Sequence, residues 1–396
     1  MSDRLKERIQ HLLPSTIETR HFLHRHPELS DHEAETAALV ARRLTDIGLE
    51  PRTGVGGHGV AADIVGCAPG AVIALRADMD ALPIQEETGL PYASVNPGVM
   101  HACGHDGHTA IMLAVAEILV EEMRTRPGTV RLLFQPAEET VGGATRMIRD
   151  GAMDGVDAVV ALHGWRHLPI GHIGVMAGPS MAGADVFDIT VRGRGAHAAY
   201  PHQSSDPIVT AARIVTALQT IVSRETDPLD PAVLTVARIS GGTAYNIIPD
   251  TAHLAGTVRT LSRGVADRIE AAIRRIAAGE CAAADANSDV VYHHGSPPVV
   301  NDPAIVELIR EAARASVGPE AVTDLLRPSM GAEDFAYMLE AAPGAMYRLG
   351  IGDGAPGHNA GFDFDDRAIP AGIETLCRTA LLFLDRNAGF SPADLT

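Results

Sequence analysis

The sequence predicts an α/β protein: a larger domain with a mostly parallel sheet covered by helices, interrupted by an inserted ferredoxin-like α+β domain. Three observations carry this prediction. The chain has 396 residues, more than one hydrophobic core usually serves. Short apolar runs alternate with helical patterns through the first half, as parallel strands and their crossovers require. From about Ser180 the order becomes β-α-β-β-α-β, that of a small split sandwich. The expected segments are 1–181, an insertion over 182–296, and 297–396 completing the larger domain.

Taken in order, Ser30-Asp31-His32-Glu33 reads as a capping box in which Ser30 and Glu33 satisfy each other's free amides. The helix behind it shows Val40, Leu44 and Ile47 on one face and stops at Gly48. Ala71 to Ala77 is a short apolar run of the buried-strand type. Ile111, Val115, Ile118 and Leu119 stand at helical spacing and predict a helix to Glu122. Thr129 to Gln135 and Asp157 to Leu162 predict two more strands. In the insertion, Ala184 to Gly193 alternates as a strand, and Asp206-Pro207 opens a helix to about Glu225. Strands at Ala232 to Ser240 and Thr251 to Thr260 follow, then a helix over Val265 to Ala283 and a strand over Asp289 to His293. Gly295-Ser296-Pro297-Pro298 leads back, Asp302-Pro303 starts a helix, and a last helix begins near Pro370.

Composition narrows the function. Hydrophobic residues make up 46% and charged residues 21%, an ordinary balance for a folded domain. The formal net charge of −18 repels phosphate backbones and anionic lipid, so neither nucleic acid nor membrane is an expected partner. No stretch is apolar enough to span a bilayer, and Met1 to Gln10 lacks the apolar centre of a signal peptide. Cys67, Cys103, Cys281 and Cys377 have no paired spacing, which excludes a disulfide framework and fits the reducing cytoplasm.

The chemistry lies where the strands of the larger domain end. The run at Ala71 leads into Asp78-Met79-Asp80, and the next helix is preceded by Met100 to His108, which contains Cys103, His105 and His108. The run at Thr129 leads into Glu138-Glu139, that at Asp157 into His163-Gly164-Trp165, and Gly357-His358-Asn359 lies near the chain's end. Ligands of open α/β sheets bind outside the carboxyl ends of strands, so these loops are expected to converge. Thiolate, imidazole and carboxylate together suit Zn²⁺, Mn²⁺, Co²⁺ or Ni²⁺ better than Mg²⁺ or Ca²⁺. Cys103, His105, Glu139, His163 and His358 exceed one tetrahedral site and predict two divalent ions per chain. Such ions polarise a carbonyl and activate water. Glu138, beside Glu139, is placed to accept the water's proton and pass it to a leaving amine.

Arg76 to Pro83, Met100 to Thr109, Phe134 to Glu139, Gly195 to Pro207, Asn246 to Asp250 and Gly256 to Arg259 resemble the peptidase M20 group. The resemblance is strongest to its hippurate hydrolases, N-acyl-amino-acid deacetylases and auxin-conjugate hydrolases. It implies hydrolysis of the amide of an N-acyl amino acid or related conjugate, a small-molecule substrate. Cys103 matches the bridging ligand, which is Asp in other subgroups. His105 and His163 match ligands of one metal, and Glu139 and His358 ligands of the other. Glu138 matches the general base and Asp80 an acid that orients the site, while Asp78 stands where other subgroups place a histidine ligand. The insertion resembles a lid and dimerisation domain, implying a homodimer or a dimer-based tetramer. There His197 matches a histidine that stabilises the oxyanion in the partner's site, and Asn246 and Arg259 match residues that hold the substrate carboxylate. Ala332, Ala360 and Asp366 depart from the usual residues and are expected to touch the pocket wall. Three other readings use the same residues: attack on another C–N bond, such as an arylamine or unusual amide, a cysteine hydrolase with Cys103 as nucleophile, and a non-catalytic metal-dependent binding protein. The last leaves Glu138 without a task.

Overall fold

The computed structural model describes residues 2–140 and 142–388; Met1 and 389–396, the outer ends of the first and last predicted segments, lie outside them. Helices α1 (Ser2–Arg25) and α2 (Ala34–Asp46) precede strands β1 (Arg52–Val55), β2 (Gly59–Val65) and β3 (Val72–Asp78). Then come α3 (His105–Glu122), β4 (Thr129–Gln135), α4 (Gly143–Arg149), β5 (Ala158–Trp165) and β6 (Ile173–Val175). Strands β7 (Gly178–Met181), β8 (Gly183–Arg192) and β9 (Ala196–His197) lead to α5 (Pro207–Thr220), β10 (Ala232–Gly241), β11 (Ile247–Ile248) and β12 (Thr251–Thr260). After α6 (Arg263–Ala282) and β13 (Asn287–His293), the chain continues through β14 (Val299–Asn301), α7 (Pro303–Val317), β15 (Val322–Asp324), α8 (Ala336–Ala341), β16 (Gly344–Gly350) and α9 (Ile369–Asn387). No helix of the described residues is long and apolar enough to cross a membrane.

The chain forms two compact units, one of residues 1–178, 300–327 and 334–396, the other of 179–299 and 328–333. In the first, the sheet runs β1-β2-β4-β3-β5-β16-β6-β15. Strands β4, β3, β5 and β16 are adjacent and parallel, so all four point their carboxyl ends the same way. β3 and β16 are buried almost throughout, as strands covered on both faces must be. Helix α3 packs on β3 between α1 and α9, and its Ile111, Val115, Ile118 and Leu119 are fully buried. Each such side chain contributes roughly 1.5–3 kcal/mol through burial. In the second unit, the antiparallel sheet order β10-β12-β8-β13 with α5 and α6 is the ferredoxin-like arrangement.

Two local expectations fail for a common reason. Helix α3 starts at His105, not Ile111, because Gly104 turns into it at φ 92 and its first turn is polar yet buried. The apolar period therefore begins only after the residues committed to the site. The capping box at Ser30 and Glu33 does not form. Ser30 Oγ donates to Asp80 Oδ2 at 2.7 Å, and Glu33 Oε1 accepts from the Ala137 amide at 2.8 Å. Glu28 instead accepts the free amides of Glu35 and Thr36 at the start of α2. The expected Asp206 and Asp302 caps do form, each accepting two amides.

Candidate metal centre

The carboxyl ends of four adjacent parallel strands build the site. β3 delivers Asp78 and Asp80, β4 the segment 136–140 with Glu138 and Glu139, β5 His163, and β16 the loop with His358. Cys103, His105 and His163 offer ligand atoms within 4.8 Å of one another, and so do Cys103, Glu139 and His358. Cys103 Sγ lies 3.6 Å from His163 Nε2. Glu139 Oε1 lies 3.3 Å from His358 Nε2 and 3.9 Å from His105 Nε2.

Hydrogen bonds to the outer nitrogens set the tautomers. His163 Nδ1 donates to the Gly164 carbonyl at 2.8 Å, so its Nε2 lone pair faces Cys103. His105 Nδ1 donates to the Asp80 carbonyl at 2.9 Å, and its buried Nε2 makes no hydrogen bond among the described residues. A buried nitrogen left in that condition is costly unless something else meets it, and a cation does so. His108 differs. Its Nδ1 donates to Asp78 Oδ1 at 2.6 Å and its Nε2 accepts the Gly164 amide at 2.9 Å. With both nitrogens engaged, His108 orients β5 and Asp78 and has no lone pair to offer.

The carboxylates divide in the same way. Burial opposes the charge on Asp78, but His105, Arg76 and His108 hold it well below the usual carboxylate range. Its oxygens are engaged by His108 and by Arg76 Nη1 at 2.6 Å, so Asp78 acts on its neighbours. Asp80, likewise lowered against burial by His105 and Ser30, accepts the Glu139 amide at 3.0 Å. Burial pushes the Cys103 thiol up to about 12. Burial also lowers His163, whereas His105 is raised by Asp78 and Cys103 despite its burial. His358 is half exposed, sits at φ 61 and is tied by its amide to the Ala102 carbonyl at 2.8 Å.

Of the predicted site residues, Asp80, Cys103, His105, Glu138, Glu139, His163 and His358 belong to the first unit, and His197, Asn246 and Arg259 to the second. His197 pairs with Ile247 across β9 and β11, and its Nδ1 accepts the Ala199 amide at 3.1 Å, leaving Nε2 to carry the proton. The Asn246 carbonyl accepts from Ala198. Arg259 donates to the Val258 carbonyl and forms no ion pair among the described residues. Asp366 pairs with Arg20 at 2.5 Å and with His21 at 2.8 Å, which anchors α1. The reading of the sequence missed Asp334. It accepts from Gln135 at 2.6 Å and from the Ala144 amide at 3.1 Å, tying both ends of the Glu138–Glu139 segment. Its signal in sequence is the acidic pair of Glu333-Asp334-Phe335.

Comparison with known proteins agrees with this geometry. Residues 74–382 match the family described as Peptidase family M20/M25/M40. The chain is 44% identical to the N-acetyl-L-cysteine deacetylase of Bacillus subtilis, over 97% of this chain and 92% of that one. It is 38% identical to the IAA-amino acid hydrolase ILR1-like 2 of Arabidopsis thaliana, over 94% and 86% respectively. The crystal structure of the Bacillus subtilis YXEP protein, a dinuclear metal binding peptidase from the M20 family, superposes with a TM-score of 0.85 at 36% identity, covering 95% of this chain and 99% of that one. The chain therefore belongs to peptidase family M20/M25/M40 and is a hydrolase acting on amide C–N bonds.

Proposed function

We propose that the enzyme is a metal-dependent amidohydrolase cleaving the amide of N-acyl amino acids (acetyl, benzoyl or similar) or related conjugates, with Glu138 as general base. The observation carrying this reading is the convergence of lone pairs from Cys103, His105, Glu139, His163 and His358 at four strand ends, with the outer nitrogens of His105 and His163 tied back to carbonyls. Cys103, His105 and His163 would hold one divalent ion, and Cys103, Glu139 and His358 the other; Zn²⁺, Mn²⁺, Co²⁺ and Ni²⁺ suit this donor set. Bound there, the ions polarise the scissile carbonyl and lower the pKa of a water.

The chain's own groups handle the protons. Glu138 is buried, and its carboxylate lies in one group with Glu139 and His105. It takes the proton of the attacking water and delivers it to the departing amine nitrogen. Asp80 orients His105 and the Glu139 amide. From the second unit, Asn246 and Arg259 would hold the substrate carboxylate, and His197 would donate a hydrogen bond from its Nε2–H to the oxyanion in a partner's site. The tautomer of His197 and the lack of an ion pair at Arg259 support these roles. A homodimer or dimer-based tetramer is supported by exposed Val233 and Ile239 on β10, the edge strand of the second unit's sheet. A cysteine hydrolase is disfavoured, since a nucleophilic thiol needs a lowered pKa and Cys103 is raised. The names of the relatives, a deacetylase of N-acetyl-cysteine and a hydrolase of an IAA-amino acid, support the substrate class.

The test is a screen of the metal-reconstituted enzyme against N-acetyl, N-benzoyl and other N-acyl amino acids, with arylamides alongside and free amine as the readout. Amine release from N-acyl amino acids is expected. Turnover of arylamides alone would overturn the substrate class.

A further inference from the structure

Glu33 is a carboxylate in an unfavourable place. It stands at the start of α2, yet makes no cap there. It is fully buried, burial raises its pKa, and it has no ion pair among the described residues. Its Oε2 makes no hydrogen bond among the described residues. Its Oε1 accepts two amides, from Asp31 at 3.1 Å and from Ala137 at 2.8 Å. Burying a carboxylate without a countercharge is costly, so such a group persists where it maintains something else.

Ala137 is what it maintains. This residue directly precedes Glu138 and sits in the left-handed region at φ 51. An alanine prefers the right-handed or extended regions over the left-handed one by about 5- to 30-fold. The reversal at Ala137 turns the chain out of β4 so that Glu138 and Glu139, neighbours in sequence, both enter one group with His105. Glu139 has its own anchor in the amide bond to Asp80. Ahead of Glu138, the Ala137 amide is held by Glu33 at 2.8 Å, and the Ala137 carbonyl accepts the Gly143 amide at a longer 3.3 Å.

We infer that Glu33 is a positioning residue for the general base, holding Ala137 in its left-handed conformation so that the Glu138 carboxylate meets the attacking water. This inference rests on the assignment of Glu138 as base. Because Glu139 and the other proposed ligands are held independently, loss of the Glu33 acceptor lowers kcat without removing metal or weakening substrate binding.

The experiment compares Glu33→Ala, Glu33→Gln, and the double variant Glu33→Ala with Ala137→Gly in the metal-loaded full-length enzyme. Glu33→Ala is expected to lose about tenfold in kcat, with KM and metal content unchanged. Glu33→Gln keeps an acceptor oxygen and is expected to stay within about twofold of wild type. Glycine enters the left-handed region without the penalty alanine meets, so adding Ala137→Gly is expected to restore about fivefold of the loss. A crystal structure of Glu33→Ala is expected to show Ala137 outside the left-handed region. If Glu33→Ala does not fold, Glu33→Asp draws the acceptor back by one methylene and should show a smaller loss with the same glycine rescue. A folded, metal-loaded Glu33→Ala or Glu33→Asp enzyme with wild-type kcat overturns the inference, as does a loss that Ala137→Gly leaves unchanged. Glu138→Gln, run in parallel, separates the failures: an active Glu138→Gln enzyme refutes the base assignment itself, whereas an inactive one beside a fully active Glu33→Ala refutes only the role of Glu33.

Discussion

At the scale of single residues, Cys103, as the proposed bridging ligand, would set how the site takes up metal. Its thiol is held protonated by burial, up to about 12, whereas a thiolate is the form that ligates. Metal bound by Cys103 would therefore expel its proton. Cys103→Asp replaces the thiol with a group already ionised at neutral pH. Titrating metal into metal-free protein at pH 7, in buffers of different ionisation enthalpy, should show about one more proton released by wild type than by Cys103→Asp. Equal release would place Cys103 outside the metal site. The five residues that converge could be picked out in sequence because each lies near a strand's carboxyl end, in the loop after one, or at the approach to a helix. Asp334 was not, because its partner Gln135 is 199 positions away and nothing local marks the pair.

At the scale of elements, α1 and the start of α3 are joined through buried charge. Arg20 and His24 of α1 meet Asp106, in the first turn of α3, at 3.1 and 2.9 Å. Burial opposes the charge on His24, but Asp106 outweighs it and raises the imidazole to about 9. A folded pKa above the unfolded value near 6.5 means stability that is full below that value and lost as pH rises through about 9. The contribution is of order 3 kcal/mol. Urea unfolding at pH 6.5 and 9.5 should show wild type losing stability over this window and His24→Gln losing markedly less. Parallel losses would show that the pair does not carry this charge. The same region explains what the sequence concealed. Strands β4 and β12 were legible to the residue because their patterns are local. The polar first turn of α3 hid the true start of the helix. Ser30 and Glu33 satisfied a local capping pattern while their side chains served Asp80 and Ala137.

For the whole molecule, the proposed role of His197 is to act across a homodimer, as the resemblance implies. His197→Ala and Glu138→Gln proteins should each be nearly inactive, since one oxyanion donor is typically worth about 10²–10³ in kcat. After subunit exchange, mixed dimers regain one intact site, and an equal mixture should recover about a quarter of wild-type activity. No recovery after verified exchange would confine His197 to its own chain. The two-unit organisation was legible because the β-α-β-β-α-β order is written in local periodicity. The return of 328–333 to the second unit was not, since that short stretch carries no period of its own.

Two divalent ions held at the four strand ends are proposed to make this chain a hydrolase. Metal content and amide hydrolysis, measured on the same samples through chelation and stepwise return of Zn²⁺, Mn²⁺, Co²⁺ or Ni²⁺, test this proposal most directly. Activity is expected to fall to background as metal is withdrawn and to return as occupancy approaches about two ions per chain. Full activity in protein stripped of metal would contradict it.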